Sequence, residues 1–128
     1  MLDGLNVIYL ARYEGHSAVR LTSNIGDKMP VSLSAVGKAL IARLHDHDVE
    51  AMFSDDAELP VLTPKSLRTG AELKAQLTTI REQGYPFEDE ESTTGVVCLA
   101  VSVPTRGAYG PSLGLSVTAL KATYSGLS

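Results

Sequence analysis

The sequence predicts one α/β domain of the α+β kind, an antiparallel sheet with helices packed on it. Two observations carry that prediction. β-Branched and aromatic segments come in runs near both ends of the 128 residues, and helical periodicity is confined to the middle. Strands that follow one another without intervening helices pair antiparallel, whereas a parallel sheet would need βαβ alternation. With 44% hydrophobic and 20% charged residues, the chain carries enough apolar side chain for a single core over residues 1–128.

Taken in order, residues 6–13 read as a strand, Gly15 and His16 turn the chain, and residues 17–25 alternate again. Val19, Leu21 and Ser23 fall on one face there, and Ala18, Arg20 and Thr22 on the other, so the two segments form a hairpin. Gly26, Asp27 and Pro30 end it. Residues 34–44 then change to a helical period through Val36, Leu40 and Leu44, with Ser32 or Ser34 able to accept a bond from a free helix-end amide. Asp46 or Asp48 caps a short second helix reaching Phe53, and Pro60 and Pro64 bracket a connection. Thr69-Gly70-Ala71-Glu72 is a capping box. The helix behind it carries Leu73, Leu77 and Ile80 on one stripe and stops near Gly84. Residues 85–88, 96–103 and 112–120 are strands, which gives the order β-β-α-α-α-β-β-β.

Charge and composition exclude several functions. The net charge is −4 and the pI about 5.3, and no cluster of Lys and Arg exists to displace counterions from a duplex. The single cysteine, Cys98, has no partner for an internal disulfide. No basic segment leads into an apolar one at the start, and no apolar run is long enough to cross a bilayer. A cytoplasmic protein without a membrane partner is expected.

The closing strands are two-faced. Val97, Leu99, Val101 and Val103 alternate with Cys98, Ala100 and Ser102, and Leu113, Leu115 and Val117 alternate with Gly114, Ser116 and Thr118. Paired as a hairpin in natural register, the two small faces coincide. Such a face either takes a closely packed helix or forms a pocket floor with hydroxyl and thiol groups. The helix opening at Ser34 offers free amides and the positive end of its dipole to an anion. Gly37, which costs roughly 1 kcal/mol against alanine in a helix, suggests close approach of a backbone or a ligand; plain packing on the sheet is the competing reading.

Other chemistries fit less well. Cys98 as a nucleophile needs a base to form thiolate, and His16, His45 and His47 fall in a turn and an interhelix segment. The run His45-Asp46-His47-Asp48 suits a surface helix start better than a metal site, since i and i+2 residues of a helix point apart. Residues 88–91, all acidic, could supply an acid/base pair; alternation puts Glu88 and Glu90 on one face, and a partly solvated strand end is the reading adopted. No catalytic residue, metal or cofactor is assigned.

Several segments together resemble a known family. Gly26-Asp27-Lys28-Met29-Pro30 followed by Ala35-Val36-Gly37-Lys38-Ala39-Leu40 resembles the G-x-x-x-P … A-x-G-K-A-L signature of IclR-type transcriptional regulators. Arg81-Glu82-Gln83-Gly84-Tyr85 with the acidic Glu88-Asp89-Glu90-Glu91 is similar to their R-x-x-G-Y … D-x-E segment, and Gly95-Val96-Val97-Cys98-Leu99-Ala100 to their G-x-x-C-[IL]-A. The resemblance runs in order through nearly the whole chain, including the opening from Leu2 to Arg12.

It implies a GAF-like effector-binding domain, with a curved antiparallel sheet flanked by helices. It implies a small organic, carboxylic acid effector, assembly as a homodimer or tetramer, and DNA binding only through an N-terminal winged helix-turn-helix. That half is expected to be absent from this chain, and the family's C-terminal helix to be cut short after Leu120. The effector-binding positions it implies are Ser34, Ala35 and Val36 at the helix start, Glu88, Cys98, and Ser116 and Thr118 on the last strand. Glu88 stands where small-acid binders carry aspartate, and Ala35-Val36 where some carry Gly-Ala. The alternative function is an oligomerisation platform without an effector.

Overall fold

A computed structural model describes residues 2–3, 5–8, 28–103 and 113–121. Six strands and three α-helices occupy them: β1 (Leu2–Asp3), β2 (Asn6–Ile8), β3 (Lys28–Pro30), α1 (Ala35–Ile41), α2 (Asp46–Met52), α3 (Gly70–Gln83), β4 (Phe87–Asp89), β5 (Val96–Val103) and β6 (Leu113–Leu120). A 3₁₀ turn, Val31–Leu33, leads into α1. The strands make two antiparallel three-stranded sheets, β1-β2-β3 and β4-β5-β6. The α/β class with antiparallel strands and packed helices is therefore as expected. Among the described residues no helix is long and apolar enough to cross a membrane.

The boundaries show which local signals governed. β5 spans the predicted residues, and β6 starts one residue later than predicted. Strand β4 is shifted, running from Phe87 to Asp89. Lys28–Pro30, read as a strand break, is strand β3, because Met29 lies opposite Val7 and Pro30 sits at the strand end, where a missing amide costs least. Of the predicted hairpin, only residues 6–8 are described; the segment 17–25 lies outside the described residues, as does the chain after Lys121.

Each helix start has its own chemistry. Ser34, not Ser32, caps α1: its hydroxyl accepts from the Gly37 amide at 3.1 Å, a bond worth about 1 kcal/mol. Neither Asp46 nor Asp48 caps α2. His45 occupies that position without a side-chain bond, and both aspartates lie in the first turn, where their charge complements the dipole. The His45 and His47 rings stack 5.6 Å apart. At α3 the box is asymmetric. Thr69 accepts from Glu72 N, but the Glu72 carboxylate reaches past Thr69 to Arg68 N at 2.7 Å. Gly84 ends α3 at φ 93, in the left-handed region that glycine adopts freely.

The core lies between the helices and the second sheet. Val31, Ala39 and Ile41 join Leu73, Leu77 and Ile80 of the α3 stripe, with Cys98 and Ala100 of β5 beneath. Arg81 ties the helices at one end. Its guanidinium donates to the Ala42 carbonyl at the C-cap of α1, to the Leu44 carbonyl just beyond, and to Asp46 at 2.7 Å.

Candidate functional site

The pairing of β5 with β6 sets Cys98 opposite Thr118, Ala100 opposite Ser116 and Ser102 opposite Gly114. The small faces therefore coincide as the alternation predicts. β4 adds Glu88 opposite Cys98. Glu88, Cys98 and Thr118 thus form one cross-strand row over three strands. The row is buried at Glu88 and Cys98 and exposed at Thr118; Ser116, next along β6, is exposed too.

The helix-packing reading of the small face holds at one end, and the other end is polar. Toward Ser102 and Gly114 the face takes α1 directly: a Cβ on Gly114 would run into Val36 Cγ2 and lie 3.7 Å from Leu40 Cδ2. Toward Cys98 the groups are polar. Thr118 donates to the Cys98 thiol at 3.4 Å. Glu88 accepts from the Ser92 amide and hydroxyl, both at 2.8 Å and both on Oε1. On the opposite, bulky face Leu115 is 68% and Val117 72% accessible, with Leu99 and Val101 exposed beside them, whereas Val97 is buried.

Ser34, Ala35 and Val36 are all buried, and two of them are already committed. The Ser34 hydroxyl is spent on its own helix, and Val36 packs on β6. Among the described residues, the group of α1 that addresses the row electrostatically is Lys38, one turn further on; its charge acts on both Glu88 and Cys98. Lys38 was not singled out from the sequence. It is buried, and its ammonium donates to Glu91 Oε1 at 2.7 Å, with side-chain exposures of 1% and 7%. Gln76 of α3 donates to the same oxygen at 3.2 Å.

The acidic run corrects the expectation of a partly solvated strand end. Glu88 and Glu91 are buried, while Asp89 and Glu90 are paired with Lys121 at 2.9 and 2.8 Å and, at longer range, with Lys65. Strand alternation fails because Glu90 takes φ 58, which turns the chain. Glu91 is thereby carried inward in place of Glu90. Its carbonyl accepts from the Ser66 and Thr63 hydroxyls of the preceding connection.

The protonation states follow from burial and partners. Burial pushes the Glu88 carboxyl above its ordinary value, against the Ser92 bonds and the Lys38 charge, which pull it down. Burial likewise pushes the Cys98 thiol up, which suits a neutral side chain and not a nucleophile. Asp89 and Glu90 are held low, chiefly by Lys121. Since the folded Glu88 value lies above the unfolded one, its contribution to stability is full at low pH and is lost as pH rises through the folded value. Glu88→Gln should therefore gain stability relative to wild type from about pH 4 upward. Thermal midpoints from pH 4 to 8 measure this; a constant difference would mean that Glu88 titrates as in the unfolded chain.

Two clefts, of about 210 Å³ between α1 and α3 and about 240 Å³ between α2 and α3, contain no residue of the row. Among the described residues no group of three metal-ligating side chains occurs.

Comparison with known proteins places this arrangement. The family model described as bacterial transcriptional regulator IclR C-terminal matches residues 1–126. The chain is 37% identical over 103 residues to the HTH-type transcriptional regulator XynR of Escherichia coli, covering 80% of this chain and 40% of that protein. It is 31% identical over 118 residues to the HTH-type transcriptional regulator KdgR of Dickeya chrysanthemi, covering 91% and 38%. The chain thus spans about 40% of the length of the curated relatives it matches. In structure it superposes on the Thermotoga maritima IclR at a TM-score of 0.83 and 25% identity, covering 98% of this chain and 53% of that one. An IclR homologue from Microbacterium hydrocarbonoxydans complexed with 4-hydroxybenzoate gives a TM-score of 0.79 at 22% identity, covering 94% and 48%, which shows the shared fold. These relatives are regulators, as the expectation of a non-enzymatic domain requires. The chain belongs to the IclR family of bacterial transcriptional regulators and corresponds to its C-terminal domain.

Proposed function

We propose that this domain senses a small carboxylic acid, bound over the Glu88–Cys98–Thr118 row, and passes its binding to attached DNA-binding domains. The row is the observation that carries the reading: three strands bring a carboxyl, a thiol and a hydroxyl together, with a buried ammonium from α1 beside them. Convergent polar groups on an otherwise apolar face are what fix a small ligand's orientation. Ser116 extends the floor, and Ser34, Ala35 and Val36 close it on the α1 side. The 4-hydroxybenzoate held by the Microbacterium homologue supports an acid ligand for this fold. The effector acts only if it binds one arrangement of the assembled regulator better than another. The whole regulator is then a cytoplasmic homodimer or tetramer that contacts DNA through another domain.

The exposed apolar face at Leu99, Val101, Leu115 and Val117 favours a second reading, an assembly platform without an effector. A thermal-shift series with acetate, succinate, 4-hydroxybenzoate and gluconate separates the two. A ligand that binds only the folded state stabilises it by about 2.7 kcal/mol at one hundred times its Kd. The sensor reading expects one of these acid classes to raise the midpoint at millimolar concentration, and Glu88→Ala to change which acids do so. If none stabilises the domain, the platform reading replaces it.

A further inference from the structure

We propose that the acid effector enters together with one proton, taken up by Glu88, so that a monocarboxylate replaces the Glu88 charge instead of adding to it. The inference rests on the sensing function proposed above and concerns how that same site tolerates an anion.

The charges around the row set the problem. From α1 comes the Lys38 ammonium; from the segment between β4 and β5 comes the Glu91 carboxylate, bound to it at 2.7 Å. Glu88 contributes a second buried carboxyl. β5 contributes the neutral thiol of Cys98, β6 the hydroxyls of Thr118 and Ser116, and α3 the amide of Gln76. Asp89 and Glu90, the remaining acids of the segment, are matched by Lys121 and Lys65. With Glu88 ionised the interior group carries one negative charge in excess. A carboxylate ligand would raise that to two, and Lys38 is already neutralised by Glu91.

Proton uptake removes the conflict with groups already in place. Both Ser92 bonds fall on Glu88 Oε1, which leaves Oε2 to form the new O–H bond. The proton comes from solvent, the resulting hydroxyl donates to the effector carboxylate, and both leave when the effector dissociates. Lys38 spends one N–H on Glu91 and has further donors for the same carboxylate. Burial already biases Glu88 toward the protonated form. A dicarboxylate would raise the excess from one negative charge to two again, so the site prefers monocarboxylates.

The test uses the whole chain and the acid, among acetate, succinate, 4-hydroxybenzoate and gluconate, that stabilises it most at pH 6. Titration calorimetry at pH 6, 7 and 8, in buffers of different ionisation enthalpy, should show affinity falling toward about tenfold per pH unit and one proton taken up per acid at pH 8. Glu88→Gln keeps a donor without a titrating group, and should bind the acid with a Kd that no longer changes with pH. Equal affinity at pH 6 and 8 without proton uptake overturns the inference and leaves the sensor intact. No binding by any acid at any pH overturns both. A pH dependence that persists in Glu88→Gln removes the assignment to Glu88; should that variant not fold, the wild-type buffer series decides.

Discussion

Replacing Lys38 with methionine should lower the stability of the domain by about 3–5 kcal/mol, the loss expected when one partner of a buried ion pair is removed. Methionine keeps most of the volume, so the loss is electrostatic and not a cavity. Among the described residues, the Glu91 carboxylate would keep the Gln76 amide as its neutral donor. Turning it toward water would pull on a backbone held by Thr63 and Ser66, whose hydroxyls donate to the Glu91 carbonyl. Urea unfolding of the single variant measures the loss. The double variant Lys38→Met/Glu91→Leu should recover most of it, because two apolar groups leave no charge unpaired. If the double variant is as unstable as the single one, packing and not charge explains the effect. A loss below about 1 kcal/mol for Lys38→Met would place the pair among solvent-exposed bridges, contrary to its burial.

How far the sequence reveals this site follows from the range of each signal. The row was legible because its causes are local. Period-two alternation assigns Cys98 and Thr118 to faces, and the natural hairpin register sets them opposite one another. The α3 stripe and its Gly84 stop were legible for the same reason, in a 3.6 period with a cap at each end. Lys38 and Glu91 were missed because their pairing joins residues 53 apart in the chain. Taken singly, a lysine in a helix and a glutamate in an acidic run both read as solvated. One local hint existed: Ala35–Ile41 has no charged residue except Lys38, and a lone charge in an apolar turn needs a buried partner. Nothing comparable announced Glu91, which depends on the left-handed turn at Glu90, a conformation uncommon for a non-glycine residue.

The same contrast divides the two faces of β5 and β6. Hydrophobicity alone would place Leu99, Val101, Leu115 and Val117 inside and the small residues outside. Among the described residues Cys98 and Ala100 are buried and those four bulky residues exposed, because α1 needs the small face to approach. Val36 fits against Gly114 only where no Cβ stands. Close helix-to-sheet contact, not apolar content, decides which side of this sheet is the core.

Gly70→Ala should cost about 3 kcal/mol, at the upper end of what overpacking a tight site costs, although alanine is by about 1 kcal/mol the better helix residue. Propensity and packing therefore predict opposite signs, which makes the substitution decisive. Gly70 is the first residue of α3, and a Cβ there would collide with the Ser54 carbonyl oxygen. That oxygen belongs to backbone that cannot easily withdraw. The Gly70 amide donates to the Ala57 carbonyl at 2.9 Å and the Ala71 amide to Asp55 at 3.1 Å. Thr69 also bridges to Glu58, and Leu59 donates to Arg68 at 3.0 Å. Moving α3 away instead would lift Leu73, Leu77 and Ile80 off the core they fill. Neither side can yield cheaply, so the variant should melt well below wild type while keeping its helical circular dichroism at low temperature. If Gly70→Ala instead raises the urea midpoint, the segment from Ser54 to Glu58 gives way and propensity governs the start of α3.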